Sequence, residues 1–358
     1  MRDDKDVATR QVRKILVQRA DTRDQLVLPW SDKRLAGVDV AQIPTALVHC
    51  YLPRRKPTED VIIRSNGDIS LMIETRALAF DGKAVKPGIP YGAGGRLILA
   101  GLTTLAKLQT SIAPELKPRL YLPRSARAFF RFTHFDNTGE RSSDRNRSGE
   151  AHARFMQQFY RVLAAEFTAT KQVRREMPAA GKPPRVQTGW AFRAVRLVEA
   201  AELWWNPSDL GTATMWPSWL ELSPRGWEWI EATTHPLDWE AYTSHAKSPL
   251  TMDIDAWLGA RLWQIPAGET VYLTWEQLYL QFVGSKPASL SARAWQTRIR
   301  VFKWDFLASL KRTLAAYRTA RVKPYGDGIE LHHSPPWVDP KKALIKLRER
   351  VEPELLLP

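Results

Sequence analysis

Cysteine is almost absent from this sequence of 358 residues, and Cys50 is its single example. One cysteine can form no internal disulfide and no zinc site built from several cysteines, so we expect it to pack as a small apolar side chain. Long apolar runs are absent too, because no stretch approaches the roughly 18 residues that a membrane-spanning helix needs. The charged residues 1–6 lack the apolar core of a signal peptide. The sequence therefore predicts a cytoplasmic protein without a membrane partner.

Acidic residues are too few to balance the basic ones. The chain has 53 lysine and arginine residues against 38 aspartate and glutamate residues, a formal net charge of +15. A charge of this sign and size favours a polyanionic partner, and nucleic acid is a better candidate than a membrane surface. The apolar fraction of 44% is ordinary for a folded protein. The length suggests roughly two domains.

The most basic segment begins at Thr274 and ends at Lys323, and it contains ten lysine or arginine residues and two acidic ones. Thr274 and Gln277 form a capping box, which predicts the start of a short helix. A long helix is predicted over 292–318, followed by a β-hairpin over 321–332. A helix-turn-helix with an attached hairpin is typical of a winged-helix DNA-binding domain.

The same order of elements is predicted twice along the chain. The second copy starts near Pro236. Ser248 and Pro249 form a strong helix start within it, and a strand over 271–273 leads into the basic segment. Earlier elements are predicted at 46–48, 61–63 and 69–73 (strands), 93–109 (helix), 119–122 (strand), 125–135 and 150–168 (helices), 169–189 (exposed loop), 167–171 and 190–204 (strands flanking that loop) and 216–222 (strand). The predicted fold class is therefore α+β, as a tandem pair of winged-helix domains.

Composition and element order divide the chain into four segments. They are a flexible, charged N-terminal arm over 1–43, a first winged-helix domain over 44–232, a second over 236–338, and a basic C-terminal tail over 339–358. The second domain is predicted to be the main sequence-specific DNA-binding domain because it carries the densest positive charge. The first is predicted to mediate dimerisation and to add auxiliary DNA contacts.

The long helix over 292–318 has two distinct faces. Its apolar stripe runs from Trp295 to Tyr317, and Arg293 and Arg300 lie on the opposite face. The N-terminal turns of such a helix enter the major groove, where arginine pairs with guanine and glutamine with adenine. The alternative is a solvated basic face without a ligand. The predicted DNA-binding residues are Arg293, Gln296, Thr297, Arg298, Arg300, Lys303, Lys286 and Lys323 in the second domain, and Arg124, Arg127, Arg145, Arg147 and Arg154 in the first.

No catalytic constellation is recognisable, so we predict a protein that is not an enzyme and uses no metal and no cofactor. His332 and His333 are adjacent, and adjacent side chains of a strand point in opposite directions, so the pair does not form a metal grip. Residues 92–96, Gly-Ala-Gly-Gly-Arg, precede a helix. They lack the Gly-Lys-Ser/Thr ending of a phosphate-binding loop, which argues against an ATPase.

Four short segments resemble hallmarks of the RepA-type plasmid replication initiators. They are Pro249–Leu258, Leu273–Leu278, Phe302–Phe306 and Ser334–Val338. The likeness extends over about residues 90–338 and is densest in the second predicted domain. The chain is also similar in plan to other plasmid initiators built of two winged-helix domains.

The resemblance implies a function beyond DNA binding. Such initiators bind repeated sequences, called iterons, in the double-stranded DNA of a plasmid origin, help to open it, and recruit host replication proteins such as a helicase or initiator. They shift between monomers and dimers, which bears on plasmid copy control, and they act at the plasmid or nucleoid of a bacterium. The helix over 292–318 corresponds to the family's recognition helix. The segments 136–149 and 169–189 depart from the family's first domain.

Two other functions stay open. A winged-helix transcriptional repressor would bind DNA through the same helix without initiating replication. A rolling-circle nicking initiator would need two histidines separated by one residue and a tyrosine nucleophile in context. We find neither arrangement in the sequence, so the initiator without nicking activity is the preferred interpretation.

Overall fold

The structure of the chain is a computed structural model. It describes residues 35, 38–67, 69–80, 82–138, 147–179, 182–205, 218–232, 234–287 and 289–339. Residues 1–34 of the predicted arm, residues 340–358 of the predicted tail, and Arg145 among the predicted DNA-binding residues lie outside this description. All structural statements below concern the described residues.

Helices and strands both occur throughout the described chain, which confirms the mixed α+β class. The helices are α1 (Thr45–His49), α2 (Gly92–Ile112), α3 (Ala126–Phe132), α4 (Arg147–Ala164), α5 (Pro224–Ala232), α6 (Trp239–Ser244), α7 (Pro249–Arg261), α8 (Trp275–Phe282) and α9 (Ala292–Ala316). The strands are β1 (Val40–Pro44), β2 (Val61–Asn66), β3 (Ile69–Thr75), β4 (Leu78–Phe80), β5 (Lys83–Val85), β6 (Arg119–Tyr121), β7 (Ala165–Ala179), β8 (Lys182–Arg196), β9 (Val198–Glu202), β10 (Trp219–Leu222), β11 (Thr234–Asp238), β12 (Thr270–Thr274), β13 (Val322–Tyr325) and β14 (Gly328–His332).

Two of the sheets share one topology. Their strand orders are β6-β10-β9 and β12-β14-β13, and all neighbouring strands are antiparallel. In each case one helix precedes the first strand, two helices follow it, and the last two strands complete the sheet. We call residues 92–222 the first unit and residues 249–332 the second unit. The order of elements predicted to repeat is therefore present, and the first unit differs by the insertion of β7 and β8.

The predicted exposed loop over 169–189 is wrong. Most of this segment belongs to β7 and β8, which pair with each other along a long hairpin and join β2 and β3 in the sheet order β2-β3-β7-β8. The prediction relied on prolines and a glycine, which usually mark loops. Pro183 and Pro184 lie where the register between β7 and β8 is irregular: Lys182 pairs with Ala179 and Arg185 with Met177, so neither proline occupies a paired position of the ladder.

Two assignments near the start of the described chain also need correction. Residues 46–48, predicted as a strand, lie in the short helix α1. Residues 40–43, assigned to the flexible arm, belong to the buried strand β1, which pairs antiparallel with β11. A short apolar run fits a buried strand and a buried helix equally well, so periodicity alone does not separate the two. The distant partner strand β11 decides which residues are extended.

Helix α7 lies between two hydrophobic cores. Met252 and Ala256 pack into the core of the first unit, which extends back to Leu35. Ile254 and Leu258 pack into the core of the second unit, together with aromatic side chains of α8 and α9. Every residue from 250 to 260 is buried. A helix that is covered all round belongs to the interior of a larger body, so the two units share α7 as a common central element.

A buried ion pair joins the first helices of the two units. The guanidinium of Arg96, on α2, donates from Nε and Nη2 to the two carboxylate oxygens of Asp253, on α7, at 2.7 Å each. The same guanidinium donates to the carbonyl oxygens of Leu52 at 2.7 Å, Gly92 at 2.7 Å and Pro53 at 3.3 Å. Arg96 is 3% exposed and Asp253 is 4% exposed. The glycine-rich first turn of α2 therefore contributes a hydrogen-bond acceptor to this buried arginine.

Both members of the pair are ionised. Burial on its own would lower the pKa of Arg96, but the charge of Asp253 and the hydrogen bonds to it raise that pKa. Burial raises the pKa of Asp253, and the charge of Arg96 opposes this shift. Burial and the charge of Arg96 thus have opposite effects on the ionisation of Asp253. We favour the ionised form because arginine keeps its proton in proteins and because both carboxylate oxygens accept short hydrogen bonds from it.

Removing one member of this pair should destabilise the whole protein. Asp253→Asn leaves the buried guanidinium without its counter-charge, and we expect the free energy of unfolding to fall by about 3–5 kcal/mol. Denaturant unfolding of the full chain measures this. The matched control is Asp60→Asn, which removes the exposed ion pair with Lys86 and should cost about 0–1 kcal/mol. Equal losses in the two variants would contradict a special role for Asp253.

Asp255, two residues further along α7, has a different environment. Its side chain is 2% exposed, and its Oδ1 has no hydrogen-bond partner among the described residues. Burial raises the pKa of Asp255 well above its ordinary value, and the negative charge of Asp238 adds to the shift. The folded protein therefore retains a proton on this carboxyl that the unfolded chain releases. The folded state therefore becomes less stable as pH rises between the pKa of this carboxyl in the unfolded chain and its higher pKa in the folded protein.

Asp255→Asn should remove this loss of folding stability with rising pH. The unfolded carboxyl ionises near pH 4, roughly its ordinary value, whereas the folded one ionises at higher pH. We expect the unfolding free energy of the variant minus that of the wild type to increase as pH rises above about 4, the ordinary pKa of the carboxyl. Denaturant unfolding at several pH values tests this, with Asp60→Asn as the exposed control. A difference that does not change with pH would show that Asp255 does not hold the extra proton.

Candidate nucleic-acid interface

Helices α8 and α9 of the second unit have defined N-terminal ends. The backbone N–H of Gln277 donates to Thr274 Oγ1 at 3.2 Å, and the backbone N–H of Thr274 donates to Gln277 Oε1 at 2.8 Å, which confirms the capping box. Ser291 caps α9 by accepting a hydrogen bond from the N–H of Ala294 at 3.3 Å. These caps satisfy the backbone donors that a helix start leaves free. They fix where α9 begins and therefore which residues occupy its first turns.

Helix α9 separates its side chains as the sequence predicts. Trp295, Phe302 and Phe306 are buried in the core of the second unit. The opposite face carries exposed polar and aromatic residues. They are Arg293, Gln296, Thr297, Arg300 and Lys311, together with Trp304, which is 73% exposed. We call this the α9 polar face. It offers guanidinium and amide donors, the groups that read base edges in a major groove. Arg298 is exposed too, but it lies three residues after Trp295 and four before Phe302, at the edge of the buried stripe.

Several side chains around this face are already engaged within the protein. Thr297 Oγ1 donates to the carbonyl oxygen of Arg293 at 3.1 Å. Lys303 is half-buried, with its Nζ 5.1 Å from the ring centroid of Trp275. The Nζ of Lys286 lies 5.5 Å from the ring centroid of Trp295. Cation–π contacts of this kind hold the ammonium groups against the aromatic core. Arg293 and Arg300 therefore stand out as the exposed groups of the first turns.

The hairpin of β13 and β14 depends on one glycine. A Cβ atom on Gly328 would lie 2.0 Å from the carbonyl oxygen of Leu273 on β12, so no larger residue fits where β14 pairs with that strand. Lys323 on β13 is predicted to contact phosphate, but its Nζ lies 3.2 Å from Glu330 Oε2 on β14. The Lys323 ammonium is therefore paired within the hairpin, although the side chain stays exposed. Tyr325, near the turn, is exposed and packs edge-on against Tyr272.

The predicted residues of the first unit do not form a comparable face. Arg124 and Arg127 are exposed beside and within α3. Arg154, on α4, is half-buried and lies 3.9 Å from Glu150 one turn earlier. Arg147 is the first residue of α4. These residues are spread over two helices, and one of them already has an acidic neighbour. The stronger candidate surface is therefore the α9 polar face.

Three basic residues that the sequence analysis does not single out lie between the units. Arg54, Arg55 and Lys247 line a cleft beside α9 together with Arg312. The only local signal for them is the short basic run that begins at Arg54 and the lysine just before the start of α7. Neither signal indicates that the two segments meet, because their proximity depends on how the units pack.

The two adjacent histidines have separate partners. His332 Nδ1 lies 3.1 Å from Thr270 Oγ1, whereas His333 Nδ1 lies 2.7 Å from the carbonyl oxygen of Ile265. Within the part of the chain that the structure describes, no group of three or more His, Cys, Asp or Glu side chains is placed to hold a metal ion. None of the described helices is long and apolar enough to cross a membrane.

Comparisons with known proteins give only loose likenesses. No protein-family model matches the chain, and no curated protein matches it in sequence. A crystal structure of selenomethionine derivatives of domain 2 and domain 3 of RctB is 12% identical, with a TM-score of 0.43, and the match covers 81% of this chain and 97% of that one. A crystal structure of RctB domains 2–3 is 13% identical, with a TM-score of 0.37, covering 84% and 99%. Likenesses this weak carry no conclusion about the function of this chain.

Proposed function

We propose that this protein is a DNA-binding initiator of plasmid replication that reads origin repeats with the second unit. The observation that carries the proposal is the α9 polar face. It presents Arg293, Gln296 and Arg300 in the first turns of a capped helix, and a β-hairpin follows that helix. In winged-helix and helix-turn-helix proteins, those turns enter the major groove. An excess of positive charge supplies the phosphate attraction that such binding needs.

Both units are proposed to be winged-helix domains, in tandem. Their common order of helix, strand, helix, helix and hairpin, with the same strand order in the sheet, supports this assignment. In this interpretation α9 is the recognition helix of the second unit, and α4 has the same position in the first. The first unit then provides auxiliary contacts, because its arginines are fewer in any one place.

The segments that resemble RepA-type initiators support a shared architecture more directly than a shared activity. Pro249–Leu258 lies in the buried helix α7. Phe302 and Phe306 are core residues of α9. In the last segment, the ring of Trp337 stacks on Tyr317 with centroids 4.7 Å apart. The assignment to replication rather than repression therefore rests on the family resemblance, and iteron binding, origin opening and recruitment of host proteins are parts of the proposal.

Dimerisation is proposed for the sheet that carries the inserted hairpin. Trp190 and Phe192 lie two residues apart on the edge strand β8, so they share a face, and they are 66% and 78% exposed. The strand register places Ile63 of β2 on the same face, and it too is exposed. Exposed apolar patches of this kind are typical of protein interfaces. This surface is separate from the α9 polar face, so a dimer could still present α9 to DNA.

Arg300→Ala tests the α9 polar face. If Arg300 reads a base, specific binding should weaken by about 1–3 kcal/mol while binding to random DNA changes little. If it contacts only phosphate, both affinities should fall together, and the salt slope should drop by about 0.9. Titration of origin and random duplexes at several salt concentrations separates these cases. Arg318→Ala, an exposed arginine beyond the end of α9, is the matched control. No effect of Arg300→Ala on either DNA would remove this face from the interface.

Footprinting on the DNA that flanks the gene tests the assignment to an initiator. Protection of direct repeats spaced by whole helical turns is the expected result, whereas a single protected palindrome would favour the repressor.

The proposed absence of nicking activity is tested with supercoiled origin DNA and magnesium. We expect the DNA to stay supercoiled and free of covalently bound protein. A relaxed product linked to the protein would identify a nicking enzyme instead.

A further inference from the structure

A basic cleft lies at the junction of the two units. It has a volume of about 450 Å³ and is formed by three parts of the chain: the segment after α1, the start of α7, and one side of α9. Its charged lining residues are Arg54, Arg55, Lys247, Arg312 and Asp305. Four cations and one carboxylate therefore surround one open space. We call it the inter-unit cleft.

The cations of the inter-unit cleft are poorly neutralised by the protein. Within the described chain, no hydrogen bond or ion pair engages the side chains of Arg54, Arg55 or Lys247. Arg312 makes one long hydrogen bond, from Nη1 to Thr251 Oγ1 at 3.4 Å. Burial lowers the pKa of Arg54, against the opposing charge of Asp253. A partly desolvated guanidinium without a direct partner gains more from an incoming anion than a fully solvated one.

The cleft continues towards the first unit. A second space of about 220 Å³ shares Lys247 and Pro249 with it and reaches Arg154 and Gln157 on α4. The two spaces together form a path from the side of α9 to the surface of α4. Its middle is the N-terminus of α7, a helix of 13 residues whose dipole favours negative charge there. The path therefore connects the helices that occupy equivalent positions in the two units.

We propose that the inter-unit cleft binds phosphate groups of the DNA backbone where the strand passes from one unit to the other. The charges favour an anion, and the second space that reaches α4 favours an extended polyanion. A site for a small molecule is typically lined by apolar and aromatic side chains with few polar groups, unlike this lining. The inference rests on the proposed DNA-binding function, and it adds residues outside α9 that fix register without reading sequence.

The double variant Arg55→Ala/Lys247→Ala tests the cleft. Both side chains are exposed and come from different segments of the chain, so the fold should be retained. Binding of the full chain to a random duplex of three helical turns, roughly 30 base pairs, is measured at several salt concentrations. Loss of two phosphate contacts should lower the slope of log affinity against log salt by about 1.8. Lys83→Ala, an exposed lysine on β5, should leave the slope unchanged. An unchanged slope in the double variant would overturn the proposal.

Asp305→Asn provides a test in the opposite direction. It removes the single carboxylate of the inter-unit cleft, so DNA should bind more tightly, by roughly fivefold at low salt. Glu115→Gln is the matched control, because this exposed carboxylate lies beyond the far end of α2, about 30 Å along that helix from Gly92. A gain in both variants alike would mean that only net charge matters, and would contradict a specific cleft.

Adding inorganic phosphate at constant ionic strength, with and without DNA, tests whether the cleft binds phosphates of the DNA backbone or a free phosphate compound. We expect weak binding of inorganic phosphate that DNA displaces. Tight phosphate binding that persists with DNA present would assign the cleft to a free phosphate compound and overturn the backbone assignment. Failure of the proposed function has a different signature, because the wild-type chain would then bind no duplex at all. Wild-type binding with an unchanged salt slope in the double variant would remove the cleft alone.

Discussion

The arrangement of this protein depends on the buried ion pair between Arg96 and Asp253. It links α2 to α7, the first helices of the two units, and it also holds the backbone of Leu52 and Pro53 through hydrogen bonds. A buried charge pair is weak as a source of stability, but breaking it is costly, so it penalises other packings of the two helices. The pair therefore contributes to the relative position of the two units, which also depends on the packing of α7.

Helix α7 extends the same constraint into the two cores. Because its whole surface is buried, it cannot shift against one unit without disturbing the other. Packed interiors transmit such displacements instead of absorbing them. The α9 polar face is therefore presented from a rigid support, which the proposed recognition of DNA would require.

Much of the second unit could be predicted from local sequence. The capping box at Thr274 and Gln277 and the apolar stripe from Trp295 to Tyr317 specify α8 and α9 through contacts between near neighbours in the chain. The first unit was harder to predict. Prolines in β8 suggested a loop, but that strand is an edge strand paired with β7. The ion pair between Lys323 and Glu330 across the hairpin was not predicted from the local sequence either.

Local sequence was enough to predict the mixed fold class, the repeated order of elements and the polar face of α9, because each depends on periodicity, caps or charge within a short stretch of chain. The role of Arg96 is visible only in the folded protein, because its partner Asp253 is 157 residues away. Folding also brings Arg54 and Arg55 to the start of α7 and to Arg312. Such proximity results from the packing of whole helices, and no spacing or composition within the chain encodes it locally.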